Sequence, residues 1–243
     1  MHTFGTILCI LSGFILLFAF GWYGYSSSLL GRFVEYYNGA TLVKLHYIGA
    51  GCIVVMAAFN VIYHGIKGDD SILASKSDIK DSIAEIAVVM GVIGDGSLFG
   101  IKGLYLPKSI KNVLANLFGR MGIDKPPHAG KWLPIEKVEY TFVFSVLIAV
   151  LIITGFIKVF KWKLMATMSP LGYVHNVVYT ASWLHDAAAV IITLFLIVHV
   201  ITASVIPVSW PCIKALVTKK MSLEHVKHHH EAWYKEIMRE RGR

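Results

Sequence analysis

The stretch SWLHDAAAVIITLFLIVHVITASVI, residues 182–206, decides the fold. Its last charged residue is Asp186, and the apolar run beyond it is long enough for a membrane-crossing helix, which needs ~20 residues. Two histidines, His185 and His199, lie inside this run. Their fourteen-residue separation is ~21 Å along a helix axis. It also brings the second to within about 40° of the first around that axis, so both share one face. Ionisable side chains at membrane depth are costly and mark function. Two on one stripe, one near each leaflet, suit two stacked haems that each take one axial imidazole from this helix.

Three further segments extend the pattern. With spans at about 3–25, 45–63, 140–159 and 182–206, the chain reads as an all-α membrane protein, a four-helix transmembrane bundle forming one domain over 1–243. No alternating ten-residue pattern suggests a barrel. Of 243 residues, 56% are hydrophobic and the mean hydropathy is +0.62, too apolar for an ordinary soluble domain.

Charge sets the expected orientation. Of the 23 Lys and Arg residues, only Arg32 and Lys44 fall between spans one and two, and only Lys158, Lys161 and Lys163 between spans three and four. The loop 67–137 and the tail 212–243 hold the rest. The positive-inside rule then puts both termini, the long loop and the C-terminal helix in the cytoplasm. The net charge of +8 thus reflects topology. No basic stripe interleaved with aromatics points to nucleic acid. The first segment lacks a basic n-region and is long, so an uncleaved span is expected rather than a signal peptide. The three cysteines, Cys9, Cys52 and Cys212, form no Cys-x-x-Cys-His, which excludes covalent c-type haem.

Between spans, residues 32–38 are expected to form an interfacial turn. Residues 77–90 carry Ile79, Ile83, Ile86 and Met90 at helical spacing, an amphipathic surface helix. Residues 91–103 are glycine-rich and read as weakly structured, and 109–121 as a short helix. Pro126, Pro127 and Pro134 give an extended approach to span three, and Pro207 and Pro211 break the helix after span four.

Each haem needs two histidines at equal depth on different helices. His46 and His185 both lie at the outer ends of their spans, and match. For His199 the candidates are His2 and His64. His64 lies ~27 Å from His46 by helical rise, against ~21 Å for the span-four pair, which favours His2. His175 and His128 read as surface residues. His225 and His228 to His230 read as a solvated helix or docking surface in preference to a metal site.

Leu45-His46, Leu184-His185, Val198-His199 and the tail Lys227-His228-His229-His230-Glu231-Ala232-Trp233-Tyr234 together resemble the cytochrome b (gamma) subunit of respiratory formate dehydrogenases. That subunit sits within the wider group of di-haem cytochromes b that also serves hydrogenases. Asp69-Asp70 before an amphipathic helix fits the same pattern. The resemblance implies an electron-transfer subunit with two haem b groups, the outer held by His46 and His185 and the inner by His2 and His199. Here Met1-His2-Thr3 stands where the family has Asn-His-Trp. The resemblance also implies a bacterial or archaeal inner membrane, an outer-face iron–sulfur partner, a molybdenum or tungsten catalytic subunit, and a quinone, menaquinone by family habit. Before span three, Trp132-Leu133-Pro134-Ile135-Glu136-Lys137 replaces the family's Tyr-Asn-x-Gly-Gln-Lys, which leaves Trp132 and Lys137 as candidate quinone contacts. Enzyme status would be nominal, since no catalytic centre resides in this chain. Alternatives are a hydrogenase-type anchor delivering electrons to a non-quinone partner, and a proton-relay transporter bundle.

Overall fold

A computed structural model describes residues 2–17, 39–68, 70–127, 129–168 and 173–242. The chain is mostly helical and divides into two compact units, Met1–Asp69 with Val146–Leu194, and Asp70–Ser145 with Phe195–Arg243.

Among the described residues, three helices are long and apolar enough to cross a membrane: α2 (Gly39–Lys67), α5 (Pro134–Val159) and α7 (Val174–Val205). At 29, 26 and 32 residues each exceeds the ~30 Å hydrocarbon thickness at ~1.5 Å per residue. Their large apolar side chains face outward, with Val61 74% and Ile66 81% exposed. A helix apolar all round needs a lipid or protein surround. The first apolar helix, α1 (His2–Leu16), is described for 15 residues. The remainder of the segment expected at 3–25 lies outside the described residues, as does the turn expected at 32–38.

In the first unit α1 packs closely on α2. Small residues make the seam: a Cβ on Gly5 would come within 2.7 Å of Cys52 Cβ, and one on Gly49 within 2.8 Å of Cys9 Sγ. Membrane helices approach this closely where small residues repeat at the interface. Cys9 and Cys52 are therefore packing residues here, and both are free thiols.

In the second unit α3 (Lys76–Val89) begins with a capping box. The Asp78 carboxylate accepts the Ser75 N–H at 2.7 Å, and Ser75 Oγ accepts that of Asp78. The helix ends in a Schellman turn at Gly91, whose φ of 69° suits glycine. Val92 N–H reaches Ala87 O at 2.9 Å there. The stretch expected to be weakly structured forms a hairpin, β1 (Ser97–Leu98) antiparallel to β2 (Ile101–Tyr105). The two-residue turn Phe99-Gly100 has positive φ at both positions, the turn that matches strand twist. Its glycines are turn devices, not marks of disorder. α4 (Lys108–Arg120) follows.

All three long helices begin before their expected starts, α2 at Gly39 rather than 45. α7 begins at Val174, eight residues before the run expected at 182, so His175 lies in its first turn. The segment VHNVVYTA is polar enough to interrupt an apolar run but contains nothing that stops a helix. α5 begins at Pro134, because proline at the first turn lacks an N–H that would be unpaired anyway. Its stretch Glu139–Leu147 is a π-helix. A short helix α6 (Lys161–Met168) follows α5. After α7, Pro207 breaks the helix as expected, but Pro211 sits in the first turn of α8 (Trp210–Thr218) and opens it. α9 (Leu223–His229) and α10 (Glu231–Arg241) complete the tail.

Candidate functional site

In the first unit His46 on α2 and His185 on α7 face each other, with ring centroids 6.3 Å apart and planes at 71°. Two imidazoles bound to one metal ion have similar spacing. A bond of ~2.0–2.1 Å and about 1.1 Å from nitrogen to ring centre, taken twice, gives about 6.3 Å. The spacing does not depend on how each ring is turned about its own nitrogen–centre axis, so the angle between planes is not restrictive.

Both rings are oriented by a hydroxyl from a third and a fourth helix segment. His46 Nδ1 lies 3.2 Å from Ser12 Oγ, and His185 Nδ1 lies 3.0 Å from Thr154 Oγ1. Both hydroxyls donate their own proton elsewhere, Ser12 to Leu8 O at 2.5 Å and Thr154 to Val150 O at 2.6 Å. Each hydroxyl oxygen therefore accepts from Nδ1–H, and the network assigns a lone pair to Nε2 of both histidines. Such a partner on the second nitrogen fixes the tautomer of a metal-binding histidine. Ser12 and Thr154 are buried, at 3% and 5% exposure.

The next residue in each case is glycine. A Cβ on Gly13 would lie 3.1 Å from His46 Cε1, and one on Gly155 would lie 3.4 Å from His185 Cε1. Each imidazole thus rests against bare backbone. The same hydroxyl–glycine pair, Ser12-Gly13 on α1 and Thr154-Gly155 on α5, supports each ring. Sequence reading passed over these two dipeptides. A hydroxyl residue followed by glycine, mid-span, in two different spans, was the available signal. The donor set and the glycine backing fit two axial imidazoles of a haem. Beside His185, Asp186 pairs with Lys158 at 2.9 Å, which accounts for a carboxylate at the end of an apolar run.

In the second unit His199 has a different partner. Its Nδ1 is 2.9 Å from Glu139 Oε2, at the start of the π-helical stretch of α5. The carboxylate orients the ring and leaves Nε2 for another ligand. Glu139 is a site residue the sequence reading missed, because its partner is sixty residues away. The backbone of His2 lies in α1, but its side chain is outside the described residues, so the expected pairing with His199 has no geometry here. His64 stacks edge-on against Tyr63.

The candidate quinone contacts are occupied by neighbours. Lys137 Nζ is 3.3 Å from Asp78 Oδ1, and Trp132 lies under Lys131 Nζ, 5.6 Å from the ring centre. The Ile135 N–H donates to Glu85 Oε2 at 3.1 Å, tying α3 to the first turn of α5. Burial pushes the Glu85 carboxyl up to about 7, and nearby Glu136 adds to this. A carboxyl raised in the folded state contributes most below its unfolded value of 4.5, and that contribution is lost as pH rises through about 7. Stability should therefore fall by about 3 kcal/mol between pH 4.5 and 7 on this account. Glu85→Gln, which keeps an acceptor for Ile135, should flatten that part of the profile. Unfolding midpoints across the pH range check this; an unchanged slope would contradict it.

Of the tail histidines, His228 and His229 are exposed as expected, whereas His225 is half-buried and His230 is buried. His230, at the joint of α9 and α10, is 4% exposed, and its Nδ1 lies 2.8 Å from Gly130 O. His225 stacks on His229 with centroids 4.5 Å apart, and Cys212 Sγ is 3.9 Å from His225 Nε2. Burial, with His229, His230 and His228 nearby, pushes His225 down to about 4. The sequence showed the run of histidines and the break at Pro207; the turn at 219–222 that brings His225 back to Cys212 was not legible from it.

No protein-family model, no curated protein and no solved structure matches this chain.

Proposed function

We propose that the chain is a membrane-embedded electron-transfer subunit that binds two haem b groups. The observation that carries this reading is the His46–His185 pair, with both Nδ1 atoms held by hydroxyls and both Nε2 atoms left to bind. In this reading the described helices belong to a four-span bundle with both termini cytoplasmic, on the charge asymmetry of the sequence. The resemblance to formate dehydrogenase cytochrome b subunits supports the same role. It adds the partners, an outer iron–sulfur subunit with a molybdenum or tungsten catalytic subunit, and menaquinone on the cytoplasmic side.

When bound, the haems supply one-electron redox chemistry, and the protein contributes position and surroundings. His46 and His185 hold the outer group. Ser12 and Thr154 keep each ring in the tautomer that can bind iron. Gly13 and Gly155 let the rings lie against backbone. His199 holds the inner group, with His2 as its partner by sequence depth and His64 as the alternative. Glu139 orients His199 and raises its basicity as a ligand. Trp132 would stack on a quinone ring, and Lys137 would have to exchange Asp78 for a quinone carbonyl.

The protein as purified should show a reducible b-type visible spectrum. Reduced protein should be reoxidised by a soluble menaquinone analogue. A haem spectrum without reoxidation would remove the quinone from the account; no haem spectrum would remove the whole reading.

A further inference from the structure

We infer that Cys212, His225 and His230 form a binding site for a divalent transition metal, with zinc the ion the donor set fits. Their ligand atoms all lie within 4.8 Å of one another. Around a tetrahedral zinc, with Zn–S ~2.3 Å and Zn–N ~2.0–2.1 Å, such atoms are about 3.3–3.6 Å apart. The 3.9 Å between Cys212 Sγ and His225 Nε2 is already close to this.

His230 gives a second, independent observation. Its Nδ1–H donates to the Gly130 carbonyl at 2.8 Å, so Nε2 carries a lone pair. That Nε2 is buried and has no hydrogen-bond partner among the described residues. A buried acceptor left unsatisfied costs about 1–3 kcal/mol and calls for an explanation. A histidine that donates one nitrogen to a backbone carbonyl and presents the other toward a thiol and a second imidazole has the arrangement of a metal ligand. A water has two protons to donate, whereas a cation accepts from all three converging ligand atoms.

One thiolate and two imidazoles favour zinc over magnesium or calcium, which select oxygen. Three protein ligands leave a fourth position for water. On binding, the Cys212 S–H gives its proton to solvent and the thiolate pair goes to the metal, so one proton is released per ion from this thiol. The ligands come from α8, α9 and the α9–α10 joint, and the Ala232 N–H bonds Ala129 O at 3.1 Å beside them. The ion therefore clasps the tail helices together and against residues 129–130. It is independent of the haem reading.

The test uses the full chain in detergent without a polyhistidine tag. Incubated with equimolar zinc and desalted, it should retain about one zinc per chain. Zinc-edge X-ray absorption, which haem iron does not obscure, should show one sulfur at ~2.3 Å and two imidazole nitrogens at ~2.0–2.1 Å. Cys212→Ser should lose the sulfur shell and bind zinc at least 10-fold more weakly, while a Cys9→Ser, Cys52→Ser protein keeps both. The wild-type spectrum stands even where Cys212→Ser does not fold. Retention well below one zinc, a shell without sulfur, or an unchanged spectrum in Cys212→Ser would overturn the site.

Discussion

His185→Ala and His46→Ala should each lose the same single haem, and the double variant should lose no more than either alone. The two rings face each other at 6.3 Å in one unit, so in the proposed reading they serve one group. Removing either ligand leaves the other unable to hold it. His199→Ala should instead lose the second haem, because its ring is oriented by Glu139 rather than by Thr154. Combining His199→Ala with His46→Ala should leave none. Haem content per chain reads all four variants. Losses that add between His46→Ala and His185→Ala would mean that these residues serve different groups.

Ser12→Ala and Thr154→Val should keep the haem but bind it more weakly, by roughly 10–100-fold, as expected for loss of a partner that orients a metal ligand. Each change orphans the Nδ1–H of one ring, at 3.2 Å and 3.0 Å from the deleted oxygens. It also frees that ring to turn and lowers its basicity, so the midpoint potential of the outer haem should rise. A merely structural role for the hydroxyls would lower stability without moving the potential. Ser12→Thr should restore much of the effect of Ser12, since it returns the oxygen. Redox titration of the two haems in each variant decides between these outcomes.

The apolar runs and the shared face of His185 and His199 were legible because helix periodicity is local. The match of His46 to His185 was legible because depth follows from counting residues into a span. What supports these residues was harder to see. Ser12 and Thr154 look like ordinary small polar residues, and only packing brings them to the histidines 34 and 31 positions away. Glu139 was absorbed into the charged flank of span three, although it lies on the helix face that meets His199. The glycines at 91–103 were read by composition, whereas Gly91 and Gly100 each occupy a specific positive-φ turn. The tail histidines were read as a solvated helix or docking surface, and the burial of His225 and His230 depends on distant partners, Cys212 and Gly130. The glycine turns are local and were missed by reading composition alone; in the other cases the missing information is tertiary, a partner distant in sequence.

The pyridine haemochrome assay on the purified full chain tests the central claim most directly. The account predicts a b-type spectrum and about two haems per polypeptide, one for each ligand position on α7. A protein that carries no haem, under conditions where haem is supplied and the protein is folded, would contradict it.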